Sequence, residues 1–429
     1  MSDMLEKVQL RITRLLRWSE KYTKTDMVYL ARGGSFSFLG QGVGIAASLA
    51  LAVVVSHLVP KESYGTYKYV LSIVAMLSLF SLNSIGTAVF QSAAQGFDGA
   101  LRKAFWENIR WSFIVFVGTL MLAAYYFVMG NATIAIGILI GGSLSPFLAS
   151  ANLFGPFLGG KKDFYRQTMY GIFDNITPIA IFIGVVFLTT NPIMLVVTYF
   201  ITNTLAALYF YRRTIAIYRA NMHLHDEKML TYSKHLSVMG VVSGIANNID
   251  QILLFHFVGA AQLAIYNFAL AIPEQIKGPA KNLGAMIQAQ FVRRTAKEIG
   301  SGMKNKISWF FGVSFFVTAV YIVVAPTIFH LLFPKYMGAV MYSQIFSLWI
   351  LFLPFDTLYM YLAARKRTKE LYINNIFYSI LQITTMVIGV LLWGLFGVIL
   401  ARVATRAIMA ILYYILYRQA IESEIAGAS

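Results

Sequence analysis

From Gly34 to Leu58 the chain passes through about 25 residues without an Asp, Glu, Lys or Arg. At 1.5 Å per residue a helix of that length crosses the roughly 30 Å hydrocarbon core of a bilayer. Eleven similar runs follow. Bounded by charges and turn residues, the twelve lie near 34–58, 67–92, 111–129, 133–158, 168–189, 193–211, 236–258, 263–291, 308–329, 339–363, 372–392 and 395–417. Lipid offers the backbone no hydrogen-bond partner, so runs of this length must be helices rather than open strands. With 58% hydrophobic and 12% charged residues, against about 25% charged in soluble domains, the sequence predicts an all-α integral membrane protein. The first run follows a basic segment too long for a cleaved signal peptide and is expected to remain as a helix.

Basic residues test that topology, because Lys and Arg gather in cytoplasmic loops while acids contribute little to orientation. Alternate connections on one side hold 28 of the 35 Lys and Arg, and the other side holds three, Lys61, Lys68 and Lys335. A wrong helix count would blur such a split. Both termini are therefore expected in the cytoplasm, in a multi-pass protein of the plasma or inner membrane. The net charge of +17 then reads as an orientation signal, with attraction to anionic membrane lipids second. A nucleic-acid partner is not expected, since no basic domain stands outside the membrane to carry one. The outer loops are too short to hold a catalytic domain, so no enzyme is expected. No Cys occurs, which removes disulfides, thiolate metal sites and Cys nucleophiles.

One corner of the chain is written twice. "SHLVPKESYGTYKYVL", Ser56 to Leu71, and "FHFVGAAQLAIYNFAL", Phe255 to Leu270, align without a gap at an offset of 199 residues. The shift matches His57 with His256, Val59 with Val258, Tyr67 with Tyr266 and Leu71 with Leu270. Trp111 and Trp309 stand at nearly the same offset, and basic clusters at Lys161 and Arg365 follow the fourth and tenth runs. Two halves of six helices share one orientation, related by an axis along the membrane normal. The expected organisation is an arm over 1–33, a six-helix lobe over 34–211, a linker over 212–235, a second lobe over 236–418 and a tail over 419–429. In the arm, Leu5, Val8, Ile12 and Leu15 recur at helical spacing beside Arg11 and Arg14, the pattern of an amphipathic helix lying on the membrane.

The run "LARGGSFSFLGQGVGIAASLALAVVVSHLVPKESYGTYKYV", with "NNIDQILLFHFVGAAQLAIYNFALAI" and the "LLFPKYMGA" turn near Phe333, resembles polysaccharide-exporting flippases of the multidrug/oligosaccharidyl-lipid/polysaccharide (MOP) superfamily. The resemblance covers nearly the whole chain. It implies twelve transmembrane helices in two like-oriented six-helix lobes around a central cavity, a polyprenyl-pyrophosphate-linked oligosaccharide as substrate, and a cation gradient as energy source. It implies no cofactor beyond a coupling H+ or Na+. Partners would be the lipid-linked oligosaccharide, membrane lipids, and the glycan polymerase or glycosyltransferases of the same pathway, with the chain itself a monomer.

Eight charges fall inside the runs: Asp174, Asp250, Glu274, Lys277, Lys281, Asp356, Arg402 and Arg406. Each costs roughly 2.5–3.5 kcal/mol at a helix centre on insertion scales, so they must face one another or water. Glu274, Lys277 and Lys281 fall at i, i+3 and i+7 on one helical stripe, and Arg402 and Arg406 at i, i+4 form a second. Facing a cavity, Lys277, Lys281, Arg402 and Arg406 would offer donors to a pyrophosphate. Facing each other, four acids and four bases would simply neutralise. Arg406 also has the reach to snorkel to the headgroups. Arg32, at the mouth of the first helix, is a candidate to receive an incoming phosphate or is a solvated loop residue. Asp250, Glu274, Asp174 and Asp356 are the candidates for ion coupling, each weighed against a structural pairing, and the amides of "NNID" would complete an oxygen-lined site at Asp250.

Three motifs carry nothing. "GQGVG" at Gly40 lies in an apolar helix with no preceding strand, "HLHD" at His223 has too few ligands, and the "NAT" sequon at Asn131 sits on a very short turn. The reading is a lipid-linked oligosaccharide flippase, with a cation-coupled multidrug exporter of the same superfamily as the alternative; a membrane glycan polymerase or ligase ranks below both because no outer loop is long enough for catalysis, and an inert scaffold does not explain eight intramembrane charges.

Overall fold

Pro60 has no N–H to give a helix and pushes Val59 out of helical backbone. The first helix, Met27–Leu58, accordingly ends just before it and the next begins at Lys61. At the 199-residue offset the same position is Gly259, whose φ of 100° favours glycine; there the helix Met229–Phe257 ends and Ala260–Ala271 begins. Two different helix breakers thus stop the repeat at one register. The computed structural model describes residues 27–218, 226–292 and 295–426, with side chains in that set left undescribed at 27–38, 281–283, 285, 286, 289, 290, 297, 301, 425 and 426. The amphipathic arm reading for 1–33 lies mostly outside the described residues.

Among the described residues all regular structure is helical, and nine stretches are long and apolar enough to cross a membrane. The last of these, within the helix Thr368–Ala426, folds back at Gly394 and makes two crossings: Thr385 and Thr405 face each other at 3.0 Å, and the backbones of Gly389 and Gly397 touch. The broken helices Lys61–Ser78 with Ile85–Ala94, and Ala260–Ala271 with Lys277–Phe291, supply two more. The whole is consistent with twelve. Large apolar side chains such as Phe113, Met121, Val128, Phe316 and Val323 remain exposed, as a lipid-facing surface requires.

The sequence expectation of unbroken helices over 67–92 and 263–291 is corrected. The second crossing opens at Leu79–Ser84, and the eighth opens into a 3₁₀ turn, Pro273–Ile276, because Pro273 removes a helix hydrogen bond. Lys68, assigned from sequence to the outer connection, lies two turns inside the helix Lys61–Ser78.

The halves meet most closely where the repeated corner lies. Tyr69 stacks on Phe255 with ring centroids 3.7 Å apart, Tyr64 packs on Phe268 at 5.3 Å and Lys61 Nζ lies 5.4 Å from the Tyr336 ring centroid. Ser56 Oγ donates to the Leu332 carbonyl at 3.0 Å and Lys335 Nζ to the His57 carbonyl at 2.5 Å. The opposite, basic end is also joined. There the start of Met229–Phe257 fits the break in the second crossing, with Ser84 N donating to Ser237 Oγ at 3.1 Å, and Ser92 Oγ donates to Asp226 at 2.6 Å.

Gly394 turns the final hairpin with φ 56° and ψ −129°, a combination that costs a residue with a Cβ about 1–3 kcal/mol. Nothing lies closer than 3.8 Å to a Cβ built there, so strain and not crowding sets the cost. Gly394→Ala is expected to lower the thermal unfolding midpoint in detergent by about 1–3 °C, while Gly171→Ala, in open space within an ordinary helix, does not lower it.

Candidate functional site

Two departures from regular helix build the site. The 3₁₀ turn Pro273–Ile276 carries Glu274 and hands over to Lys277 at the start of Lys277–Phe291. In the tenth crossing a second 3₁₀ stretch, Leu348–Phe355, carries Trp349 and ends at Asp356. Both border a cavity of about 870 Å³ whose lining, between Asn247 and Tyr413, comes wholly from the second half. Lys277, Arg402, Arg406, Asp356 and Trp349 all line it.

Arg402 is the hub. One terminal nitrogen meets Asp250 Oδ2 at 2.8 Å and the other Glu274 Oε1 at 3.0 Å. Asp250, 1% exposed, also accepts from the Tyr266 hydroxyl and from the Gln251 backbone N–H at 2.8 Å. The guanidinium fork suits this double role, since it presents separate donors to two carboxylates. The network ties the seventh, eighth and twelfth crossings. Glu274 Oε1 also accepts from Lys277 Nζ at 2.5 Å, a contact in which the lysine side chain is 53% exposed and the glutamate 34%. Arg406 pairs separately with Asp356.

Trp349 joins the two groups. Lys277 Nζ lies 5.8 Å from its ring centroid and Arg406 Cζ 5.9 Å, cation–π distances both. Its indole N–H is buried without a hydrogen-bond partner.

Both alternatives left open by the sequence are realised at once: Lys277, Arg402 and Arg406 each line the cavity while paired with a carboxylate. At "NNID", Asn248 donates to the Gly244 carbonyl of its own helix at 2.9 Å and Asp250 is held by Arg402 and Tyr266, the structural pairing weighed against an ion site. Asp174 stands apart on the helix Phe164–Leu188 of the first half, its Oδ1 buried with no hydrogen bond. No group of three His, Cys, Asp or Glu positioned for a metal occurs among the described residues. The side chains of Lys281 and Arg32 lie outside the described residues.

Tyr266, Trp349 and Lys68 were missed as site residues from sequence. Tyr266 was visible only as a repeat match, and Trp349 as one more aromatic in an apolar run. Lys68 sits over the Tyr64 ring at 5.6 Å.

Solved structures similar to this fold include transporters. An inward-facing conformation of a multidrug resistance MATE family transporter of the MOP superfamily superposes with a TM-score of 0.74 at 15% identity, covering 91% of this chain and 96% of that one. An outward-facing conformation gives 0.64 at 15% identity over 93% and 96%. A MOP superfamily transporter from Pyrococcus furiosus, described as having a binding pocket of reverse polarity that suggests a different function, gives 0.60 at 15% identity over 92% and 96%. No curated protein matches the chain. The sequence profile of the family described as polysaccharide biosynthesis protein matches residues 54–297, a span that holds both copies of the repeated corner and the Asp250–Glu274–Lys277 cluster. The chain therefore belongs to the polysaccharide biosynthesis protein family, built on the fold of MOP superfamily transporters.

Proposed function

We propose that this protein, a transporter and not an enzyme, is a flippase that carries a lipid-linked oligosaccharide from the inner to the outer leaflet by alternating access. The observation that carries the reading is the 870 Å³ cavity with Lys277, Arg406 and Trp349 on one wall. Binding cavities for small ligands run to about 300–1,000 Å³, so this one takes a diphosphate and adjoining sugar while the lipid tail stays in the bilayer. Lys277 is the cation most ready to take a phosphate, since an exposed ion pair such as Lys277–Glu274 is worth only about 0–1 kcal/mol. The basic end of the bundle faces the cytoplasm by the positive-inside rule. Asp174, whose Oδ1 is buried without a hydrogen bond, is the candidate to bind a coupling H+ or Na+, whereas Asp250 and Asp356 have arginine partners.

The test is transfer of a fluorescent polyprenyl-diphosphate sugar between leaflets of proteoliposomes. Lys277→Gln is expected to reduce diphosphate-lipid binding about tenfold and transfer with it; no acceleration by wild type over protein-free vesicles would refute the reading. One observation favours the multidrug exporter instead: the described cavity charges are balanced pairwise, and Phe310, Val313, Val317, Ile350 and Leu353 make much of the wall apolar. The same vesicles loaded with a lipophilic cationic dye separate the two.

A further inference from the structure

Glu274 stands where an anionic substrate would have to bind. A single oxygen, Oε1, takes both Lys277 Nζ at 2.5 Å and Arg402 Nη1 at 3.0 Å. The residue sits on the 3₁₀ turn Pro273–Ile276, which the proline has released from helical bonding. Arg402 does not depend on it, because Asp250 holds the other terminal nitrogen at 2.8 Å and remains in place if Glu274 leaves. Lys277 does depend on it, since no other carboxylate is paired with Lys277 among the described residues.

We propose that Glu274 is a resident counter-anion that occupies the phosphate position of the empty site, and that an anionic headgroup displaces it to reach Lys277 and Arg402. This rests on the flippase reading above. The arrangement acts as a filter, since a neutral lipid cannot substitute for the carboxylate and leaves the pair intact.

The experiment measures binding of farnesyl diphosphate to the full chain in detergent, with farnesol and inorganic pyrophosphate as separate arms. Glu274→Gln removes the competing charge and is expected to bind farnesyl diphosphate about tenfold more tightly, with farnesol unchanged. Glu274→Asp keeps the charge and the fold but shortens its reach, and is expected to gain two- to threefold. Lys277→Gln is expected to lose about tenfold, and the double variant to bind between Lys277→Gln and Glu274→Gln, since Arg402 is still unmasked. A gain for inorganic pyrophosphate equal to that for the lipid assigns the site to the phosphate alone; a larger gain for the lipid assigns it to a headgroup with its tail, and either supports the displacement. If Glu274→Gln and Glu274→Asp bind no tighter than wild type while Lys277→Gln still loses affinity, the counter-anion role falls and the flippase reading stands. If wild type binds no diphosphate, or Lys277→Gln has no effect, both fall together.

Discussion

Replacing Arg402 with Met is expected to destabilise the protein by about 3–5 kcal/mol, the range found when one partner of a buried ion pair is removed and the other charge is left without compensation. Asp250, 1% exposed, would keep only the Tyr266 hydroxyl and its neighbour's N–H, and Glu274 would keep only Lys277. At an unfolding entropy of about 2.1 cal/mol/K per residue, a chain of 429 residues shifts by roughly 1 °C per kcal/mol, so the thermal unfolding midpoint in detergent should fall by about 3–6 °C. Arg402→Lys preserves the charge but not the fork, and a single ammonium cannot bridge two acids arriving from different helices, so an intermediate loss is expected. Asp250→Asn combined with Arg402→Met should recover part of the stability, because an amide oxygen still accepts from Tyr266 without a charge to balance. If Arg402→Met unfolds within 1 kcal/mol of wild type, Arg402 is not the tie between the seventh, eighth and twelfth crossings.

That network shows where sequence reading stops. The apolar runs were legible because lipid imposes one length and one backbone solution. The duplicated corner was legible in its register, since helix ends at Leu58 and Phe257 and starts at Lys61 and Ala260 share the offset of 199, but the apolar runs placed those starts too late, at 67 and 263, because Lys61 and the polar residues after it hid the first turns. The charge balance of the eight intramembrane residues was visible too, but not which acid meets which base. Asp250 and Arg402 are 152 positions apart, and only the packing of three helices brings them to 2.8 Å. The i, i+3 pairing of Glu274 with Lys277 was readable as a helical stripe, yet it holds across a 3₁₀ turn. Pro273 was the available signal for that turn. The break at Leu79–Ser84 contains neither Gly nor Pro; it forms where Ser237 and Asn83 supply bonds from and to another helix, information no local window holds.

The second large effect is expected at the seam. A Cβ built on Gly65 lands on the backbone carbonyl of Ala260, and backbone cannot rotate aside as a side chain can. Gly65→Ala should therefore leave each half folded but penalise the state in which the repeated corners are pressed together. Overpacking costs typically 1–3 kcal/mol, and at the upper end, where a backbone is the obstacle, the population ratio of closed to open seam shifts about 100-fold, since each 1.4 kcal/mol is tenfold. Transport by alternating access needs both states, so leaflet transfer should drop by a similar factor while the unfolding midpoint changes little. The absence of native Cys gives a direct readout of the cause. Ala264→Cys, fully buried beside the seam and the 199-offset counterpart of Gly65, should resist a membrane-impermeant thiol reagent in the wild-type background and become reactive when Gly65→Ala is added. Gly171→Ala, whose Cβ meets nothing within 4 Å, should alter neither transfer nor labelling. Unchanged labelling together with lost transfer would mean that Gly65 acts on something other than closure of the seam, and unchanged transfer would mean that the contact between the repeated corners is not part of the transport cycle.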